Sequence, residues 1–597
     1  MGASCGRFVQ AYKHLRAKIH RGSTRFGTRS EELWGKDEKV ELRVFAGTWN
    51  LGNVEPTADL QDWLKPGCDI YLIGVEECCY TSPPGFSSCF EHWHDLVQSS
   101  LPSLLTLCRH DMGHCQILFL ATERVSKSIH SVVASHEETG LGGLYSNKGG
   151  LALSFWIGDN AICFVSSHLA AHQCNVSRRN LDSAHIIEGI CLTTDSQRPL
   201  TNQFQHVIWV GDLNYRLDIE RKECLELIQN NRWEKLQEYD QLLKVQADGE
   251  AFCNFREGPL NFAPTYQHIP GEPLDPETGL RPYDKRKARV PSWTDRVLWR
   301  SFPDAELELE AGSYSSSPQI CSSDHSPVGA IFRMSVMRPY HIFENASERR
   351  IYIRLSRLTA TGLGGGDHHI SFRAQYCEED KHTSNATSKD GKVTFHTVVL
   401  TTKRGVCSRK WIQTRHILVA IYKVDDALES AHMRSHPVST IMALTGLAED
   451  FEEPDGYGVI SLLGAAAGAK KFTAPISDSL GVIVGSLHGQ VQIMKPPEEE
   501  ADQILNYKSG TFLNSAQSIR KGSKGSASWS PRDTNDDDSV VPSCCLNVGA
   551  KPFDEAAVQR LRFIMLAAVT AAAMNVSQPG CDPPRAAQLS KVLSKMK

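Results

Sequence analysis

HVIWVGDLN, residues 206–214, is an apolar run that closes on two polar side chains, Asp212 and Asn214. A short apolar run without polar alternation marks a strand buried on both faces, as in the sheets of α/β proteins. Five further runs have the same build: VELRVFAGTWN (40–50), DIYLIGV (69–75), CQILFLA (115–121), GLALSFWI (150–157) and AICFVSSHL (161–169). Helical stretches alternate with them, so residues 39–338 read as one α/β domain.

Beyond it the character changes. Residues 339–495 offer strands without helices (RIYIRL, HHISFRAQY, KVTFHTVVLTT, HILVAIYKV, GVISLL, QVQIM), broken by Gly-rich turns such as GLGGG, and read as an all-β sandwich. Residues 496–551 collect PPEEE, KGSKGSASWSP and NDDD, the composition of a disordered linker, and in 552–597 the Ala-rich stretch 554–576 reads as a helix. Ahead of the α/β domain, residues 1–38 carry seven basic side chains (Arg7, Lys13, Arg16, Lys18, Arg21, Arg25, Arg29) before the first acid, Glu31. Gly2 and Cys5 there are laid out as for acylation, and one acyl chain with a polybasic patch suffices for membrane anchoring.

Composition narrows the function. With 64 basic and 69 acidic residues the net charge of the 597-residue chain is −5, which speaks against a dedicated nucleic-acid binder. Eighteen cysteines are scattered without a CxxC pair, and no signal-peptide run opens the chain, so a reduced, cytoplasmic protein is expected. The longest apolar run, 563–574, is too short to span a membrane. No cysteine is followed by arginine at the sixth position, which excludes a Cys-dependent phosphatase.

Open α/β sheets bind ligands at the carboxyl ends of their strands. There the chain places Asn50, Glu77, His168, Asp212 and Asn214, and SSDHSPV adds Asp324 and His325. Taken singly, each has a plain structural explanation: a core histidine, a turn-forming aspartate, an N-cap. Together they suit a divalent-metal site for phosphoester hydrolysis. Glu77 and Asn50 are hard oxygen ligands for Mg²⁺, and Asp212 can activate the attacking water. His168 and His325 can donate to phosphate oxygens, with Asp324 fixing one imidazole's tautomer.

TWNLGN, SNKGGLAL, VSSHLAAH, WVGDLNYRLD, PTYQ, RVPSWTDRVLWRS and SSDHSPV, in this order, closely resemble the inositol polyphosphate 5-phosphatases. The resemblance implies a four-layer α/β sandwich of the DNase I type and Mg²⁺-dependent removal of the 5-phosphate. The substrates implied are the phosphoinositides PI(4,5)P2 and PI(3,4,5)P3 or soluble inositol polyphosphates, met by a peripherally membrane-associated cytoplasmic enzyme. By it Asn50 and Glu77 hold the metal, Asp212 activates water and Asn214 holds the scissile phosphate. His168 and His325 clamp that phosphate, with Asp324 paired to one of them. Asn147, Lys148 and Tyr266 touch substrate, and Lys287 and Arg289 grip a 4-phosphate. The second domain resembles a C2 domain in the position it has in the SHIP-type branch. Its loop acids, Asp367, Asp425 and Asp426, are few for a Ca²⁺ cage, so Ca²⁺-independent contact through Lys403, Arg404, Arg409 and Lys410 is expected.

The chain departs from the family pattern at Gln267, where many relatives carry Lys, and at Glu76 and Ser166, where Gln and Asn are usual. Gln267 removes one cation from the 4-phosphate grip. Two rival readings are a nuclease or other phosphodiesterase of the same fold, and a catalytically weak membrane scaffold. The first would want a basic groove, and the second would have lost catalytic groups that are all present here.

Overall fold

The computed structural model describes residues 33–35, 39–140, 147–193, 198–339, 350–404, 406, 408–424 and 454–494, with the backbone of 23–24. The acylation motif and basic segment up to Glu31, Asp425 and Asp426, the linker 496–551 and the stretch 554–576 lie outside these residues.

The longer strands of the sandwich are β1 (Lys39–Asn50), β2 (Ile70–Glu76), β3 (Leu104–Met112), β4 (Cys115–Thr122), β5 (Ile129–Glu138), β6 (Gly149–Ile157), β7 (Asn160–His168), β8 (His206–Asp212), β9 (Asp295–Ser301) and β10 (Val328–Met337). The six apolar runs read between residues 40 and 214 are β1, β2, β4, β6, β7 and β8, mostly buried, whereas β3 and β5 are partly exposed. Two seven-stranded sheets result. One runs β5-β6-β7-β8-β9 and the other β10-β1-β2-β4-β3, each completed by two-residue strands.

The sheets bury their facing sides against each other, as the stack of Phe119 on Phe155 (ring centroids 4.3 Å apart) shows. Helices cover the outer faces. Helix α1 (Cys89–Ser100), capped by Ser88, packs Trp93 and Val97 against Trp49 and Trp63. Helix α2 (Val176–Gly189) packs Ile186 and Ile187 against Val165 and Trp209. The order helix, sheet, sheet, helix is the four-layer sandwich expected. Its core also takes in Leu33 and Trp34, whose indole donates to Val336 O (3.1 Å), so the packed domain starts ahead of residue 39.

The described residues between 350 and 494 form a third, ten-stranded sheet with its own core, interrupted by one short helix, Arg409–Ile412. Its long strand Tyr352–Thr361 pairs along one side with Ile483–Met494 and along the other with Lys392–Phe395 and Val398–Thr401, which curls the sheet. This sheet seats on the α/β sandwich through polar contacts. Arg198 donates to Val419 O (3.2 Å), Ser461 to Asp304 (2.6 Å) and Asn254 to Gly481 O (3.1 Å), while His416 meets Pro303 O (2.7 Å).

Candidate functional site

Strand direction assembles the site. Most neighbouring strands of the sandwich are antiparallel, but β1 pairs parallel with β2 and β7 with β8. Their registers put Asn50 opposite Glu76 and His168 opposite Asp212, so four carboxyl ends open on one edge. Gly211 makes the close approach possible: a Cβ there would lie 2.0 Å from Ser167 O, and its φ of +138° is one that side chains rarely adopt.

Strand β9 runs antiparallel to β8 and brings its first residue, Asp295, opposite Asp212. The register is pinned by the next residue. Arg296 is fully buried and donates to Asp240 (2.9 Å) and Glu257 (2.5 Å). His325 is held from the loop before β10, where Arg281 donates to Ser323 O (2.8 Å) and His325 O (3.3 Å), and Ser323 donates to Asn50 O (2.7 Å).

Asp212 is the centre. One of its oxygens accepts from Asn50 Nδ2 (3.0 Å) and Asn214 Nδ2 (3.0 Å) and lies 3.2 Å from His168 Nε2, and the other accepts the Asn214 backbone N–H (3.1 Å). Burial alone would raise its pKa, but the hydrogen bond with His168 and the charges of His325 and Lys148 hold the carboxyl well below the usual range. Asp212 is therefore an ionised, buried carboxylate.

The two histidines differ. Burial and the adjacent Lys148 push His168 down, towards the neutral imidazole. Lys148 Nζ touches His168 Nε2, and two donors cannot face each other, so the pair carries at most one charge. Burial would lower His325 as well, but the Asp295 carboxylate at its Nδ1 (3.0 Å), with Asp212 and Asp324, outweighs this and raises it to about 10. His325 is thus a cation at neutral pH.

Here the structure corrects the sequence reading. Asp295, not Asp324, fixes an imidazole. Asp295 also accepts from Thr265 (2.6 Å) and Thr294 (2.8 Å), whereas Asp324 lies 4.0 Å from His325 Nε2 and accepts from Gln267 (3.0 Å). The neighbour in sequence points away because residues 324 and 325 lie on a loop. Asp295 and Arg216 are the site residues that the sequence reading missed. Arg216 lies over the Tyr266 ring (4.3 Å), and Tyr266 packs on His325 (4.5 Å).

The other expected residues fall around this core. Glu77, with φ +50°, is about a third exposed; its Oε1 lies 3.8 Å from His168 Nε2 and its Oε2 accepts from Asn53 (2.8 Å). Arg289 lies over the Tyr266 ring, 5.7 Å from its centre. Lys287 lines a cavity of about 340 Å³ with Gln267, Pro270, Asp284, Arg286 and Asp324. Asn147 is exposed, in the turn beside Lys148.

A divalent cation fits this donor set. Glu77 offers a partly exposed carboxylate and Asn50 an amide oxygen, both hard donors. Asp212, Asp295 and His325 also offer ligand atoms within 4.8 Å of one another, but both Asp295 oxygens already engage His325.

Residues 47–331 match the family described as Endonuclease/Exonuclease/phosphatase family 2. Among curated proteins, the chain is 28% identical over 428 residues to phosphatidylinositol 3,4,5-trisphosphate 5-phosphatase 1 of Mus musculus, covering 65% of this chain and 34% of that protein. It is 31% identical over 317 residues to inositol-1,4,5-trisphosphate 5-phosphatase 1 of Schizosaccharomyces pombe, covering 50% and 28% respectively. The chain thus spans about a third of the length of the curated relatives it matches. A crystal structure of the inositol polyphosphate 5-phosphatase domain of SPsynaptojanin, in complex with inositol (1,4)-bisphosphate and calcium ion, is similar at 27% identity. Its TM-score is 0.44, and the match covers 55% of this chain and 92% of that one.

Proposed function

We propose that the chain, whose residues 47–331 match the endonuclease/exonuclease/phosphatase family 2, is a divalent-metal-dependent phosphatase acting on the 5-phosphate of an inositol ring. Its substrates are phosphoinositide head groups phosphorylated at positions 4,5 or 3,4,5, and soluble inositol polyphosphates. One observation carries the reading: an ionised, buried Asp212 stands between a neutral and a cationic imidazole, His168 and His325, at the open edge of the sheets. A base beside fixed cationic and N–H donors is what hydrolysis of a phosphate monoester by water requires.

Glu77 and Asn50 would hold Mg²⁺, which when bound supplies charge neutralisation to the phosphate and stabilises the leaving alkoxide. Asp212 orients and deprotonates the attacking water for in-line displacement. The Asn214 carboxamide and Lys148 hold the scissile phosphate against His168. His325, kept protonated by Asp295, donates to a non-bridging oxygen as charge builds there. Tyr266, Lys287 and Arg289 meet the inositol ring and its 4-phosphate, with Gln267 weakening that grip.

The ten-stranded sheet serves as a C2-like module for membrane or interdomain contact, and the basic residues 1–38 add a second attraction to an anionic leaflet. Together they would place the enzyme peripherally on cytoplasmic membranes.

Phosphate release by the full chain tests the reading, on phosphoinositide vesicles and soluble inositol phosphates, with Mg²⁺ and with a chelator. Release that needs Mg²⁺ and spares rings without a 5-phosphate is expected. Cleavage of single-stranded DNA without release from any inositol phosphate would overturn it.

A further inference from the structure

Arg216 is a buried arginine that the mechanism above does not use. It lies in the stretch that leaves β8, four residues past Asp212, tied down by its backbone. Its N–H donates to Gln241 Oε1 (3.0 Å), and its carbonyl accepts from Gln241 N (3.0 Å). The guanidinium turns back on the same stretch. Nε donates to Asn214 O (3.1 Å) and Nη2 to Asn214 Oδ1, while the face lies 4.3 Å from the centre of the Tyr266 ring. Ring and backbone together fix the plane of the fork.

Asn214 has φ +57°, and its carboxamide is held at both ends. Nδ2 donates to Asp212 Oδ2 (3.0 Å) and to Leu169 O (3.1 Å), and Oδ1 takes Arg216. A carboxamide is nearly symmetric in shape, so which end faces the base depends on its partners. Guanidinium can only donate and carboxylate can only accept, so Arg216 and Asp212 enforce one orientation from opposite sides. When a phosphate oxygen competes for the Asn214 N–H, the hold on Nδ2 loosens. The hold on Oδ1 does not.

We propose that Arg216 is a positioning residue of the phosphate site, holding the Asn214 carboxamide by its oxygen so that its N–H stays presented to Asp212 and to the scissile phosphate. The inference rests on the role given to Asn214 above. Lysine would not replace it: an ammonium is a single point donor, whereas the fork engages Asn214 O and Oδ1 at once.

The test is a double-mutant cycle on the full chain, with kcat and KM for a soluble inositol 5-phosphate measured in wild type, Arg216→Met, Asn214→Ala and the double variant. Arg216→Met should lower kcat by about 10- to 150-fold, the worth of a charged hydrogen bond, with KM within about twofold. In the Asn214→Ala background the same change should cost under about threefold, because its target is gone. Thermal unfolding checks that Arg216→Met folds; if it does not, Arg216→Lys carries the same cycle. Additive losses, or a KM that rises with the loss, would show Arg216 acting on substrate directly and overturn the proposal. Full activity in Asn214→Ala would instead refute the reading of the site beneath it.

Discussion

Asp295→Asn isolates the least expected feature of the site, a carboxylate that keeps a buried imidazole charged. The substitution preserves shape, and the hydroxyls of Thr265 and Thr294, which donate to Asp295 at 2.6 and 2.8 Å, still find an oxygen acceptor. The neutral amide, however, no longer offsets the burial that pulls His325 down. Its pKa, raised to about 10 in the native protein, should fall below the ordinary histidine value of about 6.5. At pH 7.5 the variant then presents a neutral imidazole to the phosphate. Losing a charged hydrogen bond costs roughly 1.5 to 3 kcal/mol, or about 10- to 150-fold in kcat/KM. The sign in pH follows from the shift. Wild type keeps His325 protonated up to about pH 10, whereas the variant loses the proton as pH rises through its new, lower value, so its deficit should shrink on acidification towards pH 5.5. Phosphate release between pH 5.5 and 9 reads this directly. A deficit that does not vary with pH would mean that Asp295 serves the fold and not the charge on His325.

Glu77→Gln should raise the Mg²⁺ concentration for half-maximal activity by about tenfold or more, since it removes the anionic ligand assigned to the metal; an unchanged titration would move the ion elsewhere. Gln267→Lys adds a cation to the cavity lined by Lys287, Arg286, Asp284 and Asp324, and should raise kcat/KM by about tenfold on rings carrying both 4- and 5-phosphates and less on those without a 4-phosphate. Equal changes on both would separate that cavity from the 4-phosphate. His206 is fully buried against Ser301 (3.0 Å), and burial, aided by His416, lowers its pKa to about 3. The unfolded chain binds a proton below about pH 6.5 that the folded one refuses, so this residue should cost about 2 kcal/mol of stability between pH 7 and 5. In denaturant titrations His206→Gln should lose that much less over the same interval; an identical pH slope would contradict the assignment.

The part of the site legible in the sequence is the part built by strands that run into it. Asn50, His168 and Asp212 each close a buried apolar run, and because β1 with β2 and β7 with β8 are parallel, their ends coincide. Asp295 opens its run, TDRVLW. Since β9 is antiparallel, its beginning and not its end reaches the site, and a search along strand ends passes over it. The signal was available as an acid followed directly by a buried strand. Trp34 carried no comparable signal, because a tryptophan ahead of the first strand acquires its role only through a partner 302 residues away, Val336. Arg216 lies two residues past Asn214, but its turn back onto Asn214 is fixed by Gln241 and Tyr266, 25 and 50 residues away, which no local pattern shows. The β-rich character of 350–494 follows from its alternating strands, whereas the curl comes from one strand pairing with three others, which no local pattern encodes.

The central claim is that Asp212, in this setting, drives removal of one particular phosphate. Phosphorus NMR of inositol 1,4,5-trisphosphate incubated with the full chain and Mg²⁺ tests it directly, because each ring phosphate has its own resonance. Only the 5-phosphate signal should disappear, replaced by inorganic phosphate, and Asp212→Asn at equal concentration should slow that loss by orders of magnitude while unfolding at a similar temperature. Loss of the 1- or 4-phosphate signal, or a normal rate with Asp212→Asn, would contradict it.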